Sequence, residues 1–168
     1  MGGRDKGLVE HGGRPLIDQV IERLAPQVDA LLISANRNLD DYARRGFSVL
    51  SDSLPGFQGP LAGLAEGLRA ARHHWLIAVP CDVPRLPENL VWHLAESLDD
   101  GEAAFARDDE RAHPAIVLLS KACLPKLEGY LEGGGRSVKG FLATLHAAAA
   151  YFPDPAAFIN VNRLTENK

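Results

Sequence analysis

Trp75-Leu76-Ile77-Ala78-Val79-Pro80-Cys81-Asp82-Val83-Pro84 decides the fold. Five of its first six residues are apolar, a pattern that suits a strand buried on both faces of a parallel sheet better than a half-wet strand with strict alternation. The run then meets a carboxylate. Asp82 stands where the strand leaves the sheet, and in open α/β folds ligands bind outside the carboxyl ends of the strands. Pro80 and Pro84 bracket it and restrict the backbone. A single carboxylate at such an exit suits Mg²⁺, which takes one or two protein carboxylates and completes its shell with water and phosphate oxygens. The same residue could instead cap the following turn.

Upstream of this run, residues 1–14 form a glycine-rich loop with a short strand expected at Leu8-Val9. Pro15 opens a helix whose apolar face is Leu16, Ile17, Val20, Ile21 and Leu24. Strands are expected at Ala30 to Ser34 and Phe47 to Leu50, with a short polar helix between them from Leu39 to Arg45. A loop over 53–59 leads to a helix that starts at Gly59-Pro60-Leu61-Ala62-Gly63 and runs to about His73.

Downstream of Asp82, Pro87 opens a helix with Leu90, Val91, Leu94 and Leu98 inward. Glu102 to Ala106 and Ala115 to Ser120 read as two strands pairing antiparallel across a charged turn, in which Asp108, Asp109 and Glu110 are expected to be solvated. Helices over 124–131 and 138–145 follow, then strands over 147–152 and 158–161, and a last helix beginning near Asn162. Strands alternating with helices predict an α/β domain: a Rossmann-like, three-layer α/β/α arrangement with a mostly parallel sheet and a small antiparallel extension.

A chain of 168 residues suits one domain with a single well-buried core. The formal net charge of −4 gives no global basic field, and no Lys/Arg run is long enough to follow a phosphate backbone, so nucleic acid is not an expected partner. No apolar run approaches the roughly 18 residues of a membrane span. Cys81 and Cys123 lack CxxC spacing and read as reduced thiols, which points to the cytoplasm. Cys81 itself reads as a small buried hydrophobe rather than a nucleophile.

Four polar loops, Gly2 to Lys6, Ser34 to Asn38, Asp52 to Gly63 and Asp82 with its neighbours, lie at predicted strand ends or helix starts and converge on one crevice. Glycines let backbone N–H groups approach phosphates, and Lys6 beyond Gly2-Gly3 supplies a point charge. The open helix start at Gly59 to Gly63 offers further N–H groups.

These residues resemble a known family. Met1-Gly2-Gly3-Arg4-Asp5-Lys6-Gly7-Leu8, Ser34-Ala35-Asn36-Arg37, Asp52, Gly59-Pro60-Leu61-Ala62-Gly63, Pro80-Cys81-Asp82, His113-Pro114 and Asn160-Val161-Asn162 are similar, in order and spacing, to the motifs of the molybdenum cofactor guanylyltransferases. The resemblance implies a single nucleotidyltransferase domain over 1–168 that moves GMP from GTP to molybdopterin and releases pyrophosphate, with Mg²⁺ as cofactor. It implies that Lys6 neutralises the triphosphate and Asp82 holds the metal. Gly2, Gly3, Ser34, Asn36, Asp52, Gly59, Pro60, Leu61 and Gly63 would frame the nucleotide. His113, Arg136, Lys139, Asn160 and Asn162 would serve the acceptor. Molybdenum cofactor assembly proteins or target molybdoenzymes are the partners it suggests.

The same residues are compatible with a relative using a cytosine nucleotide or a sugar-phosphate acceptor, and with a non-catalytic protein that holds molybdopterin. Two departures stand out. Ser34 replaces the family's usual Asn, putting a short hydroxyl where an amide would contact the nucleotide. The family pattern also carries a buried strand and a Leu-Ala-Gly-Gly loop ahead of Met-Gly-Gly, so a chain read from Met1 is expected to lack that N-terminal strand.

Overall fold

The computed structural model describes residues 5–51 and 59–161. After Asp5 the chain makes one 3₁₀ turn, Lys6–Leu8, in place of the strand expected at Leu8-Val9. A two-residue hairpin follows, β1 (Glu10–His11) and β2 (Arg14–Pro15). Helix α1 (Leu16–Leu24) starts directly after Pro15 and buries Leu16, Ile17, Val20 and Leu24, as its spacing predicts. Next come β3 (Leu32–Ser34), α2 (Leu39–Ala43) and β4 (Ser48–Leu50); β3 and β4 pair in parallel, with Ile33 opposite Val49.

Helix α3 (Pro60–Ala70) leads to β5 (Trp75–Ala78), and α4 (Leu90–Glu96) to β6 (Ala103–Arg107) and β7 (Ala112–Ser120). The described chain continues through α5 (Leu124–Glu132), α6 (Val138–Leu142) and β8 (Ala147–Tyr151). The larger sheet has the order β5-β7-β6-β8. Strand β7 is antiparallel to both β5 and β6, and β8 is parallel to β6. Strands β5, β6 and β8 therefore share one direction, and β7 alone opposes them.

Period-two alternation explains the layers. Ala104, Ala106, Ile116 and Leu118 face a core built with Val20 of α1 and with Leu90 and Leu94 of α4. Their sequence neighbours Ala103, Val117 and Leu119 face the opposite core, with Leu61, Leu64 and Leu68 of α3, Leu127 and Leu131 of α5, and Phe141 and Leu142 of α6. A third cluster, Ile17, Ile33 and Tyr42, joins α1 to the β3–β4 pair. Among the described residues no helix is long and apolar enough to cross a membrane.

Three further sequence expectations need correction. The 75–79 run is not buried on both faces: Trp75 is exposed and Leu76, Ile77 and Ala78 are half-buried. Among the described residues β5 has one hydrogen-bonded neighbour, β7, and an edge strand keeps one side less covered. Strands buried on both faces are β7, through Ile116 to Leu119, and β6, through Ala103 and Ala104. Residues 158–161 do not form a strand either. Pro155–Phe158 is a 3₁₀ turn capped by Asp154, and after it the Asn160 side chain and the Val161 N–H donate to Asp82. Finally, Asp108 is buried, not solvated.

Candidate active site

Asp82 lies four residues beyond the last residue of β5 and is buried at 5% exposure. A buried carboxylate needs partners. Asn160 donates from Nδ2 to Asp82 Oδ2 at 2.7 Å, and Lys6 Nζ stands 3.7 Å from the same oxygen. The Val161 N–H donates to the Asp82 backbone carbonyl at 3.2 Å, so the chain's last described segment is tied to Asp82 at two points. The structure thus brings together three of the residues singled out in the sequence, from positions 6, 82 and 160. The Lys6 side chain is 66% exposed and that of Asp82 only 7%. An ion pair at that distance with one open partner contributes little to stability, which leaves the ammonium available to an anionic ligand.

The loop that carries Lys6 is held by Asp5, a residue the sequence reading did not assign to the site. Its carboxylate accepts the Gly7 N–H at 3.3 Å, Asn38 Nδ2 at 3.1 Å and the Tyr42 hydroxyl at 2.5 Å. Tyr42 is buried against Ile17 and Ile33. Gly7 is required there, because a Cβ at that position would lie 2.5 Å from the Tyr42 hydroxyl oxygen. Burial, followed by the hydrogen bond and charge of Asp5, pushes the Tyr42 phenol well above its ordinary value, so it remains a donor. One carboxylate therefore ties the Lys6 turn to the segment after β3. The signal was an Asp two residues before a Gly, the pattern of a side chain folding back on its own turn.

Ser34 and Asn36 lie at the carboxyl end of β3, both exposed, where the Ala35 N–H continues the ladder to Leu50 O at 2.8 Å. Helix α3 begins without a side-chain cap, and Gly59 before it has φ +112°, a conformation that favours glycine. Pro60 brings no N–H, and the Ala62 and Gly63 N–H groups donate to the Gly59 carbonyl at 3.1 and 3.5 Å. Gly59 and Pro60 are exposed and Gly63 half-buried, whereas the Leu61 side chain is sunk in the core. Leu61 can therefore meet a ligand through its backbone only.

On the other side of Asp82, His113 is held by Asp108: Nε2 lies 2.7 Å from Oδ2. The Asp108 Oδ1 accepts the Glu110 and Arg111 N–H groups at 2.9 and 2.8 Å. Burial pushes this carboxyl up, but the bonds from His113, Arg111 and Glu110 outweigh that and hold it below the usual carboxylate value. Arg136 donates to Leu131 O and Gly135 O at the end of α5, and Lys139 is exposed on α6. These two cations sit on the face of the sheet that carries α3, opposite the core that receives Phe158. Burial, and then the charges of Asp82 and Asp5, push the Cys81 thiol up to about 11. It is a poor nucleophile at neutral pH, as expected. Gly2, Gly3, Asp52 and Asn162 lie outside the described residues.

No group of three or more His, Cys, Asp or Glu side chains able to hold a metal occurs among the described residues. A cation here would rest on Asp82 and on ligand phosphates, the oxygen donor set that Mg²⁺ accepts. An exposed Lys and a buried Asp at a strand exit of an α/β fold can bind and orient a polyphosphate.

Comparison with known proteins carries this further. Residues 1–149 match the model of the MobA-like NTP transferase domain, and the chain belongs to that family. The chain is 45% identical over 163 residues to a molybdenum cofactor guanylyltransferase of Serratia proteamaculans, covering 96% of this chain and 83% of that protein. It is also 45% identical over 165 residues to one of a Shewanella species, covering 96% and 84%. Among solved structures, the molybdopterin-guanine dinucleotide biosynthesis protein A of Archaeoglobus fulgidus superposes with a TM-score of 0.71 at 20% identity, over 99% of this chain and 80% of that one.

Proposed function

We propose that this protein transfers the GMP moiety of GTP to molybdopterin, releasing pyrophosphate and forming the guanine dinucleotide form of the cofactor. The observation that carries the reading is the 45% identity to molybdenum cofactor guanylyltransferases over 96% of the chain. In the balanced step an acceptor phosphate oxygen bonds to the α-phosphorus of GTP while the bond to the β-phosphate breaks. Such transfer needs positioning and charge stabilisation more than covalent participation by the protein. Lys6 binds the triphosphate and steadies the charge that collects on the departing pyrophosphate. Gly2, Gly3, Ser34, Asn36, Asp52 and the 59–63 helix start hold the nucleotide.

Asp82 is the residue to hold Mg²⁺, with its orientation fixed by Asn160; Mg²⁺ bound there supplies positive charge against the triphosphate. Asn160 and Asn162 are the amides proposed for the acceptor, and Arg136 and Lys139 the cations proposed for its phosphate. We place the reaction in the cytoplasm, where the free Cys81 and Cys123 remain reduced, and the product passes to molybdenum cofactor assembly proteins or target molybdoenzymes.

The test offers the purified protein molybdopterin with GTP or CTP and identifies the product by mass. GTP is expected to give the guanine dinucleotide and pyrophosphate. Preferential use of CTP, or binding of molybdopterin without transfer, would replace this reading.

A further inference from the structure

The Asp108–His113 pair is remote in sequence from Asp82, yet an unbroken set of contacts joins them. Asp108 is buried and fixes the 108–111 turn through two backbone N–H groups, so its second oxygen is left to hold His113. His113 sits on β7 where the β6–β7 register shifts: Phe105 pairs with Val117, and Ala106 with His113. That bulge sets the His113 ring against Phe158, centroid to centroid 4.8 Å. Phe158, 1% exposed, meets Phe152 edge-on at 5.1 Å. Two residues later Asn160 bonds the Asp82 carboxylate, and the next N–H bonds the Asp82 carbonyl.

We infer that Asp108 and His113 are positioning residues that aim Asn160 at Asp82, with Phe158 as the link between them. Ile159 and Asn160, between the 3₁₀ turn and the helical Val161, belong to no regular element, so their course depends on what grips them. They have an anchor at Phe158 and another at Asp82. With the first one loosened, Asn160 and Val161 no longer reach Asp82 in one fixed geometry. An error near 1 Å in a transfer site costs on the order of a hundredfold in rate. The inference rests on the reading of Asp82 as the centre of transfer, but its structural half stands independently of activity.

The experiment compares wild type with His113→Gln, which keeps an N–H donor for Asp108 and loses the ring, and with Asp108→Asn, which keeps a bond to His113 and to the turn. Two quantities are read: amide exchange at Val161 by NMR, and kcat and KM for GTP and for molybdopterin. For His113→Gln we expect Val161 exchange to rise about tenfold or more, kcat to fall about tenfold or more, and KM for GTP to change less than about twofold. Asp108→Asn should keep most of the wild-type Val161 protection and kcat. In an Asn160→Ala background, His113→Gln should cost little more, because the group it aims is gone.

Unchanged Val161 exchange in folded His113→Gln overturns the inference, whatever the activity. So does a full, additive loss in the Asn160→Ala background with a raised KM for molybdopterin, which would make His113 an acceptor contact. If wild type transfers no GMP while Val161 exchange responds as expected, the reading of the reaction fails and the positioning stands.

Discussion

Tyr42→Phe removes one oxygen and isolates what the Asp5 latch contributes. The lost hydroxyl donates to a carboxylate at 2.5 Å from a ring that is 4% exposed. Hydrogen bonds to charged groups contribute about 1.5–3 kcal/mol. Asp5 is only half-buried and keeps its bonds from Asn38 and Gly7, so the lower end, about 1.5 kcal/mol, is expected. For a domain of this size that lowers Tm by about 3–6 °C. The Lys6 turn loses one of its ties, so KM for GTP should rise about three- to tenfold with a smaller change in kcat.

The pH dependence has a definite sign. The Tyr42 phenol titrates above its ordinary value of 10.0 in the folded protein, so on raising the pH the unfolded chain loses this proton first. The contribution is complete below about pH 10 and is lost as pH climbs toward the folded value. The stability difference between wild type and Tyr42→Phe should therefore hold steady from neutral pH to about 10 and shrink above it. Thermal unfolding across that range, with GTP titrations at neutral pH, makes the comparison. Equal Tm and equal KM for GTP in the two proteins would refute the latch.

Lys6→Ala should raise KM for GTP about tenfold or more while Tm falls by no more than about 4 °C, since an exposed ion pair contributes at most about 1 kcal/mol; a larger Tm loss with unchanged GTP kinetics would make Lys6 structural. Leu119→Ala, at a fully buried position of β7, should cost about 2–5 kcal/mol in denaturant unfolding, and a change below about 1 kcal/mol would mean that β7 is not the strand at the centre of the core.

The periodic parts of the chain were legible because burial writes its period into sequence. Leu16, Ile17, Val20 and Leu24 fall on one helical face, and Ile116 to Leu119 alternate between two cores. Apolar content alone misled at β5, because a run of Leu, Ile and Ala does not reveal how many strands flank it. Phe158-Ile159-Asn160-Val161 reads as a strand for the same reason, yet the Ile159 N–H bonds Ala156 O and the Val161 N–H bonds Asp82 O, and neither joins a ladder. In the site, Lys6 and Asp82 were found by type and position, and Asn160 through the family resemblance. Asp5 and Asp108 were not, because a carboxylate in a turn looks the same whether it faces water or a buried phenol or imidazole. Their partners, Tyr42 and His113, are set by tertiary packing.

The central claim is that Asp82, buried at a strand exit and held by Asn160 near Lys6, is the centre of nucleotidyl transfer. Its most direct test is single-turnover pyrophosphate release by Asp82→Asn, a change that keeps shape and removes charge, at saturating GTP, molybdopterin and Mg²⁺. The account predicts a loss of about a hundredfold or more in rate, with the fold intact by circular dichroism. Release at the wild-type rate would contradict it.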